Sequence, residues 1–242
     1  MRRTHRVARR RHSPDAQAFG TSRTHLMTTS APDSPTLSAL DDATRHLVQL
    51  AATVAAGGEG AIRNALLGAT GGVPALWVEE LILQSYLFSG FPRALNAMRE
   101  WRRVSGRSAE VTLGSNLDDG VHPSVWQARG EETCRRVYGE MFDRLRANIR
   151  QLHPMLDGWM IVDGYGKVLS RTGLDLPRRE LCIIAACAAS KQERQLHSHL
   201  HGALNVGVEP AVVTAAIDAL QTVIDEETLA ATRLLWARVR GK

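Results

Sequence analysis

Apolar residues recur every three or four positions along most of this chain, and glycine or proline interrupts the pattern at intervals. In one segment, for example, Cys134, Val137, Met141, Leu145 and Ile149 fall on one helical face. No segment shows the strict alternation of apolar and polar residues that is typical of a half-buried strand. The pattern therefore predicts an all-α fold in which helices pack directly against one another.

Glycine and proline also indicate where the helices begin and end. A first helix is expected to start near Ala43 and to stop at Gly57, and a second to stop at Gly71. Pro74 and Pro92 suit the first turns of a third and a fourth helix. Residues 105–124 lack sustained periodicity, which predicts a linker or long loop.

A weak internal repeat divides the chain into two unequal halves. Residues 61–82 resemble residues 196–217: each has a helix, a glycine stop, a short turn with proline and an apolar helix. We therefore expect a first helical repeat at 43–104, a linker at 105–127, and a second repeat at 128–242. A disordered basic tail and linker are expected at 1–42.

The net positive charge of the chain comes from its first 26 residues. Residues 1–26 contain seven arginines and one acid, while the remaining residues carry 23 basic and 24 acidic side chains. The tail is open to several interpretations: an RNA-binding arm, an arginine-rich transit peptide, a disordered extension, or a stretch upstream of a true start at Met27. The neutral body predicts no nucleic-acid partner. No apolar run reaches membrane-spanning length, so a soluble, cytoplasmic protein with three reduced cysteines is expected.

Chemistry-bearing side chains are concentrated between Arg178 and Gly207. Glu180 lies near the start of one helix, and Gln192, Gln195 and His199 follow on the next. At about 100° per residue these last three share one face, whereas His197 and His201 point the other way. The two outer histidines have metal-ligand spacing, but no third ligand is evident in the sequence. No metal site is therefore predicted.

Four segments together resemble the carboxymuconolactone decarboxylase family, which is related to the alkylhydroperoxidase D family. They are residues 78–98, 129–149, 164–189 and 194–208. The resemblance implies a helical bundle of two repeats and assembly into a homo-oligomer. It also implies that Glu180 and His199 occupy the family's acid-base positions, with Gln192 and Gln195 where the peroxidase branch has a Cys-x-x-Cys pair. Without those thiols, a disulfide-forming peroxidase cycle is not expected.

The resemblance implies a cofactor-independent decarboxylase of a carboxymuconolactone-type acid, acting in the breakdown of aromatic compounds. His199 would donate the proton, and Glu180 would either orient the imidazole or shuttle the proton itself. Gln195, Gln192, Arg179, Arg178 and Tyr86 are the expected substrate-binding residues for a small carboxylate. Two alternatives stay open: a non-redox enzyme for another small organic acid, and a non-catalytic oligomeric ligand binder.

Overall fold

The computed structural model describes residues 36–109 and 122–241. Their regular structure is helical, apart from a single parallel bridge between Leu37 and Val208. The predicted all-α fold class is confirmed. Residues 1–35 of the predicted basic tail and linker at 1–42, and residues 110–121 of the predicted linker at 105–127, lie outside the described residues. The end of the first segment is ordered, contrary to expectation, because Leu37 pairs with Val208 and α1 begins at Asp42.

Three helices form the first half: α1 (Asp42–Ala56), α2 (Glu59–Ala69) and α3 (Ala75–Ser105). The second half contains α4 (Pro123–Tyr138), α5 (Phe142–Leu152), α6 (Pro154–Trp159), a π-helix (Met160–Leu169), α7 (Leu176–Ala189), α8 (Glu193–Asn205), α9 (Pro210–Asp218) and α10 (Glu226–Arg240). Helix α4 begins earlier than the expected repeat boundary at 128, because His122 caps it and Pro123 suits its first turn. Among these helices, none combines the length and the apolar character needed to cross a bilayer.

Helix α3 is a helical hairpin. Gly90 has a φ of 79°, which breaks the helix shortly before Pro92. The indole nitrogen of Trp101 lies 3.2 Å from the Glu79 carboxylate, although about 33 Å would separate them in a straight helix. The arms on either side of Gly90 therefore fold back on each other, which agrees with the two helices predicted in this region.

The two halves share one hydrophobic core. Helix α1 packs against both α3 and α7, while α4 packs against the π-helix and α8. Fully buried leucines from both halves belong to the same cluster, among them Leu47, Leu66, Leu181 and Leu200. The predicted repeats thus fold as one packed unit, and their exact boundary stays a prediction.

A buried ion pair connects α3 to α7. Glu80 and Arg179 are almost completely inaccessible to solvent, and Arg179 Nη2 lies 2.7 Å from Glu80 Oε2. Arg171 adds a second contact to Glu80 at 2.8 Å, and Gln84 accepts a hydrogen bond from Arg179 Nη1 at 3.1 Å. Burial alone would raise the pKa of Glu80, but the hydrogen bonds from Arg171 and Arg179 outweigh it and lower the pKa below 4.5.

The closest helix crossing brings α4 against the π-helix. A Cβ atom added to Gly130 would overlap the carbonyl oxygen of Ile161, and one added to Gly166 would overlap that of Trp126. Two glycines are therefore required where these backbones meet.

Replacing Gly130 with alanine should force α4 away from the π-helix and destabilise the fold by roughly 1–3 kcal/mol. Gly158→Ala is the control, because a Cβ there meets no atom within 4 Å. Chemical denaturation of both variants tests this expectation. Equal stability of the two variants would contradict the close crossing.

Removing the charge of Glu80 should leave two arginines without their buried partner. We expect Glu80→Gln to lower the free energy of unfolding by about 3–5 kcal/mol at neutral pH. Because the pKa of Glu80 is lowered by folding, its contribution is present above about pH 4.5 and declines as the pH falls through the folded-state pKa. The difference between wild type and variant should therefore shrink in acid.

Denaturation curves at several pH values measure that difference. The surface pair of Arg63 and Glu100 supplies the control, since Glu100→Gln removes a solvent-screened contact and should cost less stability. A difference for Glu80→Gln that stays constant from neutral pH well into acid would contradict the assignment.

Candidate active site

Glu180 of α7 and His199 of α8 meet between the two helices. Glu180 Oε2 lies 2.8 Å from His199 Nδ1, and the exposed fractions of the two residues are 0% and 5%. Asp175 caps the N-terminus of α7 through the backbone N–H of Arg178, which fixes where this helix starts. The structure therefore brings together the two residues expected to form an acid-base pair. Their catalytic role stays a prediction.

The second oxygen of Glu180 is buried without a hydrogen bond from any described residue. A carboxylate oxygen deprived of donors is energetically costly inside a protein. The pair thus retains one unused acceptor next to the imidazole.

Gly202 makes room for the Glu180 carboxylate. A Cβ atom at this position would lie 2.7 Å from Glu180 Oε2 and 2.7 Å from a methyl group of Val137. A side-chain carbon at residue 202 would therefore displace the Glu180 carboxylate, the Val137 methyl group or both.

His199 lines a cavity of about 610 Å³ between the first and second halves. This volume lies within the range usual for small-molecule sites. Phe88 and Tyr138 contact the imidazole edge-to-face, with ring centroids 5.8 Å and 6.3 Å away. Most of the remaining lining is aliphatic or aromatic, so the histidine opens onto an apolar chamber.

Two buried tyrosines border the chamber next to His199. Burial raises the pKa of Tyr138 and of Tyr165, which keeps both phenols neutral at physiological pH. Their rings contact each other edge-to-face at 6.2 Å. They are therefore hydrogen-bonding or packing groups and not phenolate bases.

Two of the predicted substrate-binding residues line this cavity. Gln195 lies one helical turn before His199 on α8. Tyr86 comes from the arm of α3 that precedes the kink, where its ring stacks on Phe91 at 4.6 Å. Burial, followed by the nearby charge of Asp163, raises the pKa of Tyr86. Gln195 and Tyr86 thus lie at the same cavity as His199, where substrate-binding residues were expected.

Gln192 does not line the cavity, contrary to expectation. It is the N-cap residue of α8, with φ −93° and ψ 71°, so the helical period used to place it does not extend to this position. Its side chain lies in a different cavity, formed with Cys187 and residues of α10.

Arg178 and Arg179 are likewise placed away from the cavity. Arg178 pairs with Asp175 and Asp41 and lies over the Trp77 ring at 4.4 Å. Arg179 is fully buried in the ion pair with Glu80 and also donates to the carbonyl oxygens of Leu174 and Arg171. Both guanidinium groups are occupied by protein partners, which corrects the expectation that one of them binds a substrate carboxylate.

Sequence reasoning missed Arg194, which lines the cavity beside Gln195. Within the described residues, its guanidinium group has no acidic or hydrogen-bonding partner. On a helical wheel Arg194 lies about 140° from His199, so it does not share the face of Gln195 and His199. A long side chain spans such an angle, and this reach was the signal available in the sequence.

The cysteines are separate from this chemistry. Cys134, Cys182 and Cys187 are buried and unpaired. Burial raises the pKa of Cys134 and of Cys187 to about 12 and raises that of Cys182 as well. Thiols with such pKa values are poor nucleophiles, and none of the three lines the His199 cavity.

His197 and His201 contact each other on the opposite side of α8, with ring centroids 4.9 Å apart. They line a second cavity of about 790 Å³. Among the described residues, no cluster of three or more histidine, cysteine or acidic side chains suited to a metal is found. The helical wheel was therefore correct to separate these two histidines from His199.

Comparison with known proteins supports the resemblance found in the sequence. Residues 158–237 match the model of the carboxymuconolactone decarboxylase family, so the predicted family is confirmed over this segment. The segment contains both Glu180 and His199. The resemblance of the first half to the family lies outside this match and stays a prediction.

The chain is also similar to Peroxisomal protein 2 of Schizosaccharomyces pombe. The two chains are 28% identical over 140 residues, which is 57% of this chain and 64% of the yeast protein. The chain thus spans less than two thirds of the length of the relative it matches. The activity of the whole protein is therefore a matter for proposal.

Gly202→Ala should separate Glu180 from His199, because the added methyl group takes the space of the carboxylate oxygen. We expect a loss of stability of roughly 1–3 kcal/mol and a changed ¹⁵N chemical shift of His199 Nδ1 in NMR spectra. Gly158→Ala again serves as the control. An unchanged His199 signal in Gly202→Ala would show that residue 202 does not constrain the pair.

Proposed function

We propose that the His199 cavity is the active site of a cofactor-independent decarboxylase acting on a carboxymuconolactone-type acid. The observation that carries the proposal is the buried hydrogen bond between Glu180 and His199, which opens onto a chamber with an apolar lining. The family match over residues 158–237 supports the same reaction class. A role in the breakdown of aromatic compounds is part of this proposal.

The proposed reaction breaks the carbon–carbon bond to the leaving carboxylate. Carbon dioxide departs, and the electron pair of that bond moves into the conjugated lactone as a dienolate. The protonated imidazole of His199 then transfers its Nε2 proton to carbon, since Nδ1 is directed to Glu180. The Glu180 carboxylate fixes the orientation of the ring and balances its positive charge before the transfer.

The cavity lining contacts one part of the substrate with polar side chains and another part with apolar side chains. Arg194 at the cavity binds a carboxylate that the product retains, and Gln195 donates a hydrogen bond to the lactone oxygens. The carboxylate that leaves is placed against the apolar lining. Water stabilises a carboxylate more than it stabilises neutral carbon dioxide, so a chamber with little water favours the loss of this group.

We also propose that the protein acts as a homo-oligomer. Phe91, Leu95 and Leu152 are 60–77% exposed and do not line the His199 cavity. Large apolar side chains at such exposure suit contacts between copies of the chain. A cytoplasmic location stays the expectation from the sequence, and the name of the yeast relative makes a peroxisomal location the alternative.

Replacing His199 with glutamine should reduce the turnover of a carboxymuconolactone-type acid at least about 100-fold, because the proton donor is lost. Glu180→Gln should reduce turnover less, since it removes orientation and charge balance but retains the imidazole. Carbon dioxide release by the purified full chain, with and without a chelator, measures both effects.

His197→Gln is the matched control for this experiment. It removes a histidine from the same helix, on the side that faces the second cavity, and should leave turnover nearly unchanged. Full activity of His199→Gln would refute the proposed mechanism. Ligand-induced stabilisation without any turnover would instead favour a non-catalytic binder.

A further inference from the structure

The His199 cavity has an extended apolar wall. Its side chains come from α3, α5, α6 and the π-helix and include Phe88, Leu145, Ile149, Leu156, Trp159 and Met160. The volume of about 610 Å³ is in the middle of the range for ligands of drug-like size. The wall therefore suits a ligand with a substantial apolar body.

Part of this wall is open to solvent. Trp159 is 55% exposed and Leu156 is 46% exposed, although both line the cavity. They lie on the short helix α6, which begins at Pro154 directly after its N-cap residue His153. A ligand that extends outward from His199 covers these two side chains and gains their hydrophobic contact.

Arg194 is the single arginine or lysine among the described residues that line the cavity. Asp163 is held by Lys167, whose Nζ lies 2.6 Å from its carboxylate. Arg194 has no partner within the described residues, and it is five positions before His199 on α8. This spacing places the two residues about 7.5 Å apart along the helix axis. The polar end of a ligand is therefore held at a distance from the histidine.

We infer that the cavity binds an amphipathic carboxylic acid, with its retained carboxylate on Arg194 and an apolar body covering Leu156 and Trp159. The inference deepens the proposed function, because it defines the class of acid that is presented to His199. Recognition depends on Arg194 and the apolar wall, whereas the reaction depends on His199 and Glu180. Ligand binding therefore tests the inferred class of acid, and turnover tests the proposed reaction.

Isothermal titration calorimetry of the full chain with octanoate, propionate and 1-octanol tests the inference. Each additional buried methylene strengthens binding roughly fourfold, so burial of even two of the five extra methylenes of octanoate should make it bind at least about tenfold more tightly than propionate. Arg194→Gln should weaken octanoate binding at least about threefold and leave 1-octanol unaffected. Trp159→Ala should weaken the binding of both long-chain ligands.

Two control variants lie in the separate cavity beside Gln192. Arg238→Gln removes a cation there, and Leu234→Ala removes a side chain that is 56% exposed, close to the value for Trp159. Neither should change octanoate affinity. Equal binding of propionate and octanoate would overturn the inference, as would octanoate binding that responds to the control variants instead.

Light scattering on Trp159→Ala tests whether the apolar wall is instead covered by a second copy of the chain. A change of oligomer size with unchanged octanoate affinity would show that a second copy, and not a ligand, covers the apolar wall. If binding follows the expected pattern and no acid is decarboxylated, the proposed reaction fails and the inferred ligand class stands.

Discussion

The buried side chains of Arg179 and Glu180 are the constraint on which the rest of the structure depends. These neighbours in α7 carry opposite charges and point in different directions, one to Glu80 of α3 and the other to His199 of α8. A shift of α7 by one residue would bury two charges without partners, at a cost of several kcal/mol for each. The register of α7 is thereby fixed against both halves of the protein at once.

Helical periodicity and helix-terminating residues were sufficient to predict most of the fold. Gly57, which ends α1, and Pro74, which directly precedes α3, are local signals, because each acts within one turn of its own position. Contacts between distant parts of the chain were not predictable in this way. Arg179 pairs with a glutamate 99 positions earlier, and nothing beside it in the sequence indicates that the guanidinium is buried.

In the candidate site as well, features set by neighbouring residues were predictable and features set by contacts with distant residues were not. Gln195 and His199 share a helical face, and their common location in the cavity followed from periodicity. Gln192 failed this test because it precedes the regular helix, and Arg194 was missed because a wheel describes Cα directions and not the reach of a long side chain. Gly202 had no visible reason to be glycine until the carboxylate beside it was located.

The shape of the cavity wall depends on the number of residues in the π-helix at Met160–Leu169. Each of its turns contains more residues than an α-helical turn, and such segments arise when a residue is inserted into an ordinary helix. Deleting one residue would restore the α-helical spacing and rotate the residues on one side of it by about 100° relative to the other. Met160, Asp163 and Tyr165 would then no longer all face the cavity. Insertions and deletions in this segment, more than substitutions, are the evolutionary changes that would give related proteins a differently shaped chamber around the same histidine.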